Sequence, residues 1–334
     1  MNKPLLRLTD KGIYCEQGDF YIDPWRSVEK AIITHAHSDH ARSGHSWYLT
    51  HRLSEPIMRV RLGFSLRIET MEYHEKRMIN GVTISFHPAG HVLGSSQIRL
   101  EYKGEVWVAS GDYKIEFDGL SHEFEPVKCH HFITEATFGM PVYQWRPQHE
   151  IFSDINSWWN ENKQNGKVSI LLGYSLGKAQ RLIWNIEHNI GPVYVHSSIE
   201  NINEAFLMGG IDLPFTQNLN DFKMSNKSEG SLILIPPGAD YVSLLDSKAD
   251  CSIGFVSGWM VFKKSRKQMK TDRNFTLSDH ADWNGLLHAI KQTEAEHIYV
   301  THGVNTFFSQ YLTEIGYHAT ELSTPFAQNS EENT

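Results

Sequence analysis

Residues 34–40 read THAHSDH and place three imidazoles and one carboxylate within one short segment. Imidazole nitrogen and carboxylate oxygen are the ligands that zinc prefers among non-sulfur donors. The segment follows an apolar run that is typical of a strand buried on both faces. In an extended turn His35 and His37 point the same way, whereas Asp39 and His40 reach a second position. The pattern therefore predicts donors for two metal ions rather than a solvated polar loop.

Three more donor residues each follow a predicted strand. His91 lies in a Gly-flanked loop, Asp112 comes after the strand VWVAS, and His302 comes after the strand IYV. Taken singly, such residues are typical of turns and caps. Because all three share one type of position, the end of a strand, we expect them to complete a metal site assembled from distant parts of the chain.

The predicted secondary structure changes along the chain, from strands alone to alternating helices and strands. Residues 5–50 show short strands separated by Gly, Asp and Pro, and more strands follow between 82 and 134. Helices and strands then alternate, and the patterns at 282–292 and 297–301 indicate a return to the first layer. This order predicts an α/β fold, in which an αββα core carries a second α/β unit inserted near 145–270.

Composition and charge set broad limits. Hydrophobic residues make up 40% of the 334 residues and charged residues 21%, which is ordinary for a globular protein. The three cysteines are an odd number without a CxxC pair, which predicts a reducing compartment. No signal peptide or membrane span is apparent, so a cytoplasmic protein without a membrane partner is expected. The net charge of −8 argues mildly against nucleic acid, although a groove on an acidic protein can still be basic.

Five motifs together resemble the metallo-β-lactamase superfamily: HAHSDH, AGHVLGSS, SGDY, EATFG and SDHAD. About 140 residues separate Glu135 in EATFG from His280 in SDHAD. This arrangement is similar to the β-CASP branch, whose cap domain is inserted there. That branch includes Artemis-type DNA nucleases, ribonuclease J and the mRNA 3′-end endonuclease. Within it, the motifs most resemble the bacterial DNA-ligase-associated exonuclease family.

The resemblance implies a particular domain arrangement. Residues 1–145 and 271–325 would form a four-layer αββα metallo-β-lactamase sandwich. Residues 146–270 would form an α/β β-CASP cap domain that walls a cleft over the metals, and residues 326–334 would be a disordered tail.

The resemblance also implies a site with two divalent ions, Zn²⁺ or alternatively Mn²⁺. Asp112 would bridge the two ions, and Asp23 would orient a ligand histidine without binding metal itself. From spacing alone, Asp23 is equally typical of a turn before proline. The remaining ligands are His35, His37 and His91 for the first ion, and Asp39, His40 and His302 for the second.

Phosphodiester hydrolysis needs a nucleophile, charge neutralisation and a protonated leaving group. A metal-bound hydroxide would supply the nucleophile, with Asp39 as a catalytic ligand, and the two ions would neutralise charge. The resemblance assigns the general acid to His280, with Glu135 accepting its other ring proton. Without it, His280 is equally typical of a residue before a helix.

Contacts to nucleic acid are expected at two places. Ser175 and Lys178 stand at a strand-to-helix junction, where they could hold a phosphate, although such a junction is also typical of an ordinary helix start. The dense basic run contains Lys263, Lys264 and Arg266 and could follow a nucleic-acid backbone, although such runs are often solvated loops.

The predicted activity is therefore that of a two-metal nuclease, and DNA is favoured over RNA. An exonuclease acting on single strands or ends in DNA repair is expected, in functional association with a DNA ligase as the family resemblance implies. His302 matches the RNA-processing members, so a ribonuclease J type enzyme is the alternative. A small-ester metallo-hydrolase and a non-enzymatic scaffold are less favoured, because the cap and every ligand position are present.

Overall fold

A computed structural model describes residues 4–222, 230–239, 250–262, 265 and 271–324. The chain forms two compact units, the first from residues 1–144 and 280–334 and the second from residues 145–279. The second unit is therefore an insertion in the chain of the first. The predicted tail at 326–334 lies outside the described residues.

The described strands and helices alternate in blocks along the chain. The strands are β1 Leu6–Leu8, β2 Ile13–Cys15, β3 Phe20–Ile22, β4 Lys30–Ile32, β5 Trp47–His51, β6 Ile68–Met71, β7 Lys76–Ile79, β8 Val82–Pro88, β9 Ser96–Tyr102, β10 Glu105–Ala109, β11 His131–Ala136, β12 Val168–Leu172, β13 Val193–Val195, β14 Gln217–Asn218, β15 Leu232–Ile235, β16 Cys251–Val256, β17 Arg273–Phe275, β18 His297–Gly303 and β19 His318–Glu321. The α-helices are α1 Glu55–Leu62, α2 Gln148–Gln164, α3 Lys178–Asn185, α4 Ser197–Met208, α5 Trp283–Thr293 and α6 Asn305–Glu314.

The first unit contains two sheets. One has six strands in the order β1 to β6, antiparallel as far as β3 and parallel from β3 onward. The other has seven strands in the order β19-β18-β11-β10-β9-β8-β7. Two of its hairpins turn on the pairs Asn80-Gly81 and Lys103-Gly104, all with positive φ. Such two-residue turns match the twist of the flanking strands and so fix their register.

The core of the first unit lies between its two sheets. Phe20 and Leu49 of the first sheet belong to one apolar cluster with Phe86 of the second. The opposite face of the second sheet packs against α5 and α6, through residues such as Ile290 and Phe308. Two sheets and one helical layer of the expected four-layer sandwich are therefore described, and α1 buries Ile57 and Met58. This is a mixed α/β fold, as expected.

The second unit is built around one parallel sheet in the order β14-β13-β15-β12-β16-β17. Strands β12 and β15 are buried along their whole lengths, as their largely apolar sequences predict for a parallel sheet. The predicted cap domain covers residues 146–270, and the second unit covers residues 145–279 and includes β17, which pairs with β16. Across the described part of the chain, no helix combines the length and the apolar character needed to span a bilayer.

Candidate metal centre

The predicted metal ligands lie where strands of the first unit end. Residues 34–40 follow β4 in the first sheet, whereas His91, Asp112 and His302 lie after β8, after β10 and near the end of β18 in the second. Their donor atoms form two groups, and within each group all donors lie within 4.8 Å of one another. The fold therefore brings together residues that are up to 267 positions apart (302 − 35).

The first group comprises His35, His37, His91 and Asp112. Nδ1 of His37 lies 3.1 Å from Nε2 of His35 and 2.9 Å from Nε2 of His91. Oδ2 of Asp112 lies 3.6 Å from Nε2 of His35. An imidazole nitrogen has a single in-plane lone pair and accepts one well-directed hydrogen bond. Two imidazole nitrogens around Nδ1 of His37 therefore suit a shared cation better than a hydrogen-bond network.

The second group comprises Asp39, His40 and His302. Nε2 of His40 lies 3.6 Å from Oδ2 of Asp39 and 3.3 Å from Oδ2 of Asp112, so Asp112 stands between the groups. Oδ2 of Asp39, Nε2 of His40 and Oδ1 of Asp112 are buried and hydrogen-bond to none of the described residues. Buried polar atoms without partners are costly. Divalent ions at this position would satisfy them, so the donor set fits a two-metal centre.

Asp23 fixes the orientation of one ligand ring. Its Oδ2 lies 2.7 Å from Nδ1 of His40, and its Oδ1 accepts a 2.8 Å hydrogen bond from the backbone N–H of Thr34. A carboxylate only accepts hydrogen bonds, so Nδ1 of His40 carries a ring proton, and Nε2 is the nitrogen that would face a metal ion. This is the arrangement expected of a residue that orients a metal ligand without binding the ion.

Burial and charge oppose each other in the pKa values of this site. Burial lowers the pKa of His40, but nearby carboxylates, first Asp112, outweigh it and hold the pKa well above its usual value. Burial raises the pKa of Asp112, but nearby histidines, first His40, hold it well below its usual range. Burial dominates at His35 and His302 and lowers the pKa of both. A lowered pKa favours the neutral imidazole, which is the form that binds metal.

His280 and Glu135 form a buried pair beside the first group of donors. Nδ1 of His280 lies 2.8 Å from Oε2 of Glu135, and the His280 ring lies 4.6 Å from the ring of His91. Glu135 is held in turn, because its Oε1 accepts a 2.7 Å hydrogen bond from the backbone N–H of Tyr113 and its Oε2 accepts one from the hydroxyl of Thr137. Burial raises the pKa of the Glu135 carboxyl, and His280 opposes that effect.

Left-handed backbone conformations occur at this site. Asp23 has φ 42° and His302 has φ 51°, both in the left-handed region that residues with a Cβ rarely adopt. Gly111, directly before Asp112, has φ 58°, and a Cβ there would lie 2.7 Å from the side chain of Thr34. Such conformations persist where the surrounding contacts determine them, and they are common at functional sites.

Lys178 has a partner within the second unit. The side chain is buried, and its Nζ lies 3.2 Å from Oδ2 of Asp279. Arg181, on the same helix α3, places Nη1 3.0 Å from Oδ1 of Asp279 and donates a 2.7 Å hydrogen bond to the carbonyl of Ser278. Lys178 therefore belongs to a buried charge cluster around Asp279, and its contact with a phosphate stays a prediction.

The other predicted nucleic-acid contacts stay predictions. Ser175 is half-buried, and its carbonyl accepts a 3.0 Å hydrogen bond from the side chain of Gln180. Lys263, Lys264 and Arg266 lie outside the described residues.

Arg61 is a site residue that the sequence analysis missed. It lies on α1, and its guanidinium donates a hydrogen bond to the carbonyl of Ala36, between two metal-ligand positions. Burial lowers its pKa, and the charge of Asp39 acts in the opposite direction. No motif marks this residue, because its contact depends on the packing of α1 against the loop after β4.

Known proteins resemble this chain over different extents. A probable DNA ligase of Opitutus terrae is 28% identical over 316 residues, which are 92% of this chain and 30% of the ligase. Cleavage and polyadenylation specificity factor 73 of Drosophila melanogaster is 30% identical over 144 residues, 40% of this chain and 21% of that protein. Endoribonuclease YSH1 of Kluyveromyces lactis is 31% identical over 209 residues, 52% of this chain and 26% of that protein. The chain thus spans less than a third of the length of each relative.

The fold also resembles a solved structure. A protein of unknown function from Enterococcus faecalis V583 matches with a TM-score of 0.55 and 13% identity, over 90% of this chain and 80% of that one. At this identity the match shows the fold alone. No family model matches the chain.

The buried donor groups, the two-unit α/β fold and these relatives point to one class of protein. They support the β-CASP branch of the metallo-β-lactamase superfamily as the group that this chain resembles. Within that branch, the match that runs over nearly the whole chain supports a resemblance to the DNA-ligase-associated family.

Proposed function

We propose that this protein is a metal-dependent nuclease that hydrolyses phosphodiester bonds, with His280 as the proton donor to the leaving group. The observation that carries the proposal is the position of the buried His280–Glu135 pair beside the metal donors, with its ring 4.6 Å from that of His91. Hydrolysis of a phosphodiester needs charge neutralisation on one side of the phosphorus and a proton on the other.

Each donor group has a distinct task in this proposal. His35, His37 and His91 would hold one Zn²⁺ or Mn²⁺, Asp39, His40 and His302 would hold the other, and Asp112 would contribute to both. Two divalent ions bound there would supply charge neutralisation for the phosphate and activation of a water molecule. Asp23 keeps the proton on Nδ1 of His40, so that Nε2 is free to bind metal.

The proton is held by a different pair of residues. Glu135 accepts from Nδ1 of His280 at 2.8 Å, which fixes the ring and leaves Nε2 as the nitrogen that exchanges a proton with substrate. A carboxylate partner stabilises the imidazolium form. His280 therefore donates from Nε2 to the departing oxygen, and Glu135 is a positioning residue that acts through His280.

DNA is the proposed substrate, and an exonucleolytic reaction on single strands or ends is the proposed mode. The match to the probable DNA ligase extends over 92% of this chain, whereas the matches to the endoribonuclease and the polyadenylation factor extend over 52% and 40%. A nuclease that trims ends would prepare substrates for a ligase, so we also propose a functional association with one. RNA is the second candidate, because those shorter matches include a protein named as an endoribonuclease.

The two remaining alternatives are disfavoured by particular features. A scaffold protein has no need of buried donor atoms without partners, such as Oδ1 of Asp112 and Nε2 of His40. A hydrolase of small esters with good leaving groups has less need of a buried histidine–carboxylate pair to protonate the departing oxygen.

A matched pair of single strands tests the proposal. One strand is DNA and the other is RNA of the same sequence, each with a 5′-phosphate and a 3′ label, incubated with the protein and Mn²⁺ or Zn²⁺. We expect the DNA strand to be degraded stepwise by the wild type and to survive with Asp39→Ala. Preferential cleavage of the RNA strand would replace the DNA assignment with an RNA-processing one. Failure to cleave either strand, with metals bound, would overturn the nuclease proposal.

A further inference from the structure

A third group of metal-type donors lies in the first unit, apart from the centre described above. His74 precedes β7, His87 lies on β8, and Glu125 lies in the segment between β10 and β11. Oε1 of Glu125 lies 3.1 Å from Nδ1 of His87, and Oε2 lies 3.3 Å from Nε2 of His74. One donor atom from each residue can be chosen so that all three lie within 4.8 Å of one another.

The two contacts of Glu125 have lengths that also occur between ligands of one ion. A tetrahedral zinc with bonds of about 2.0–2.1 Å separates its ligand atoms by about 3.3 Å. In the principal centre, the corresponding donor atoms of His35 and His37 lie 3.1 Å apart, and those of His40 and Asp112 lie 3.3 Å apart. The contacts of the two Glu125 oxygens with His87 and His74 thus have the same lengths as donor contacts in the principal centre.

The backbone around the third group is tied to one strand. The N–H of His74 donates a 2.8 Å hydrogen bond to the carbonyl of Phe86, and the N–H of Glu125 donates a 3.2 Å hydrogen bond to the carbonyl of Pro88. Phe86 and Pro88 flank His87 on β8. All three donors are therefore held to one short stretch of strand, which lowers the entropy cost of gathering them around an ion.

The second nitrogen of His87 also has a partner. Nε2 lies 3.1 Å from the hydroxyl of Ser85. With an ion at Nδ1, the ring proton belongs on Nε2, where it donates to Ser85. Ligand histidines in metal sites are held in this way through their other ring nitrogen. The side chain of His87 is mostly buried, whereas those of His74 and Glu125 are 56% and 43% exposed, so the group is open to an ion from solvent.

We propose that His74, His87 and Glu125 bind a further divalent transition-metal ion, Zn²⁺ by preference, in a structural site. Two imidazoles and one carboxylate suit zinc, whereas Ca²⁺ and Mg²⁺ select sets composed of oxygen ligands. The ion joins three separate segments of the chain at the end of β8, and His91 lies only three residues beyond that strand. The ion would stabilise the segment that leads into the principal centre. The proposal of this third site does not depend on the nuclease proposal.

Zinc stoichiometry tests the site. The whole chain is dialysed against a buffered concentration of free Zn²⁺, and zinc per chain is counted by mass spectrometry for the wild type, His74→Ala, Glu125→Gln and Asp39→Ala. The matched control is His288→Ala, which removes an exposed histidine outside the group. We expect His74→Ala and Glu125→Gln each to bind one zinc fewer than the wild type and His288→Ala. Asp39→Ala should keep the ion of the third group, although it loses metal at the principal centre.

A thermal measurement guards against loss of zinc through misfolding. Added Zn²⁺ should raise the melting temperature of Asp39→Ala, because an ion that binds only the folded chain stabilises it. The rise should be smaller in Asp39→Ala combined with Glu125→Gln. Equal zinc content in the wild type, His74→Ala and Glu125→Gln would overturn the proposal. Equal thermal shifts in Asp39→Ala and in the double variant with Glu125→Gln would also overturn it.

Discussion

Nδ1 of His280 lies 2.8 Å from Oε2 of Glu135, although the two residues are 145 positions apart in the chain. Glu135 belongs to β11, and His280 lies just before α5. The contact therefore joins the two chain segments of the first unit, residues 1–144 and 280–334. Because Glu135 is also held by the backbone of Tyr113, the residue after Asp112, the pair is tied to the metal centre. A change in the pair should therefore affect the chemistry without removing the metals.

Replacement of His280 by alanine should slow turnover while leaving the metal content unchanged. The expected loss in kcat on an oligonucleotide is roughly 10²- to 10⁴-fold, the usual contribution of a positioned acid. On a nitrophenyl phosphodiester the loss should be much smaller, because nitrophenolate departs without a proton. The measurement is kcat on both substrates together with metal per chain. Equal losses on the two substrates would show that His280 does not donate the proton.

Replacement of Asp39 by alanine should instead remove metal. Oδ2 of Asp39 is buried and hydrogen-bonds to none of the described residues, which is the state expected of an oxygen that binds a metal ion. We expect metal per chain to fall and cleavage to be abolished, and His37→Ala should do the same. The double readout of metal content and rate separates these variants from His280→Ala. Full metal occupancy in Asp39→Ala would contradict the ligand assignment.

Replacement of Asp279 by asparagine should destabilise the second unit strongly. Its carboxylate is the buried partner of both Lys178 and Arg181, so the variant leaves two buried cations without it. Loss of one partner in a buried charge cluster costs about 3–5 kcal/mol in the free energy of unfolding. The measurement is urea unfolding, followed by tryptophan fluorescence.

The matched control for Asp279→Asn is Lys128→Gln. It breaks the exposed pair between Lys128 and Glu294, whose side chains are 72% and 64% exposed. Exposed pairs contribute less than about 1 kcal/mol, so the unfolding curve should barely move. If the two variants were equally stable, the charge cluster at Asp279 would not stabilise the fold.

His45 should make the first unit sensitive to acid. Burial lowers its folded-state pKa to about 4, whereas the unfolded value is about 6.5. The unfolded chain therefore binds the extra proton first, and stability that is present above pH about 6.5 is lost as the pH falls toward 4. The loss is on the order of 2–3 kcal/mol. A physical cause is visible, because Nδ1 of His45 accepts the N–H of Val28 and cannot do so once protonated.

The variant His45→Asn tests this pH dependence, since its side-chain oxygen can replace Nδ1 as the acceptor but does not titrate. Free energies of unfolding are compared at pH 7 and pH 5 for both proteins. The wild type should lose more stability between these values than His45→Asn. Parallel losses would mean that other groups account for the acid sensitivity.

The candidate metal ligands could be proposed from the sequence because motifs at strand ends carry them, and the structure brings their donor atoms together. The strand patterns also predicted most of the two sheets that hold His35 and His302. The partner of Lys178 was not predictable, because its contact with Asp279 spans about 100 residues and depends on the packing of α3. Arg61 was missed for the same reason, since nothing in its local sequence marks the contact with Ala36. Local patterns define elements and motifs, whereas long-range ion pairs arise only in the folded chain.

The most direct test of a metal-dependent nuclease is to remove the metals and return them. The protein is treated with a chelator, dialysed, and supplied with Mn²⁺ or Zn²⁺, and cleavage of an end-labelled single strand is followed over time. We predict that cleavage stops in chelator, returns with the ion in the wild type, and does not return in Asp39→Ala. Cleavage that persists in chelator, or that returns equally in Asp39→Ala, would contradict the assignment of the buried histidine and aspartate cluster as the catalytic metal centre.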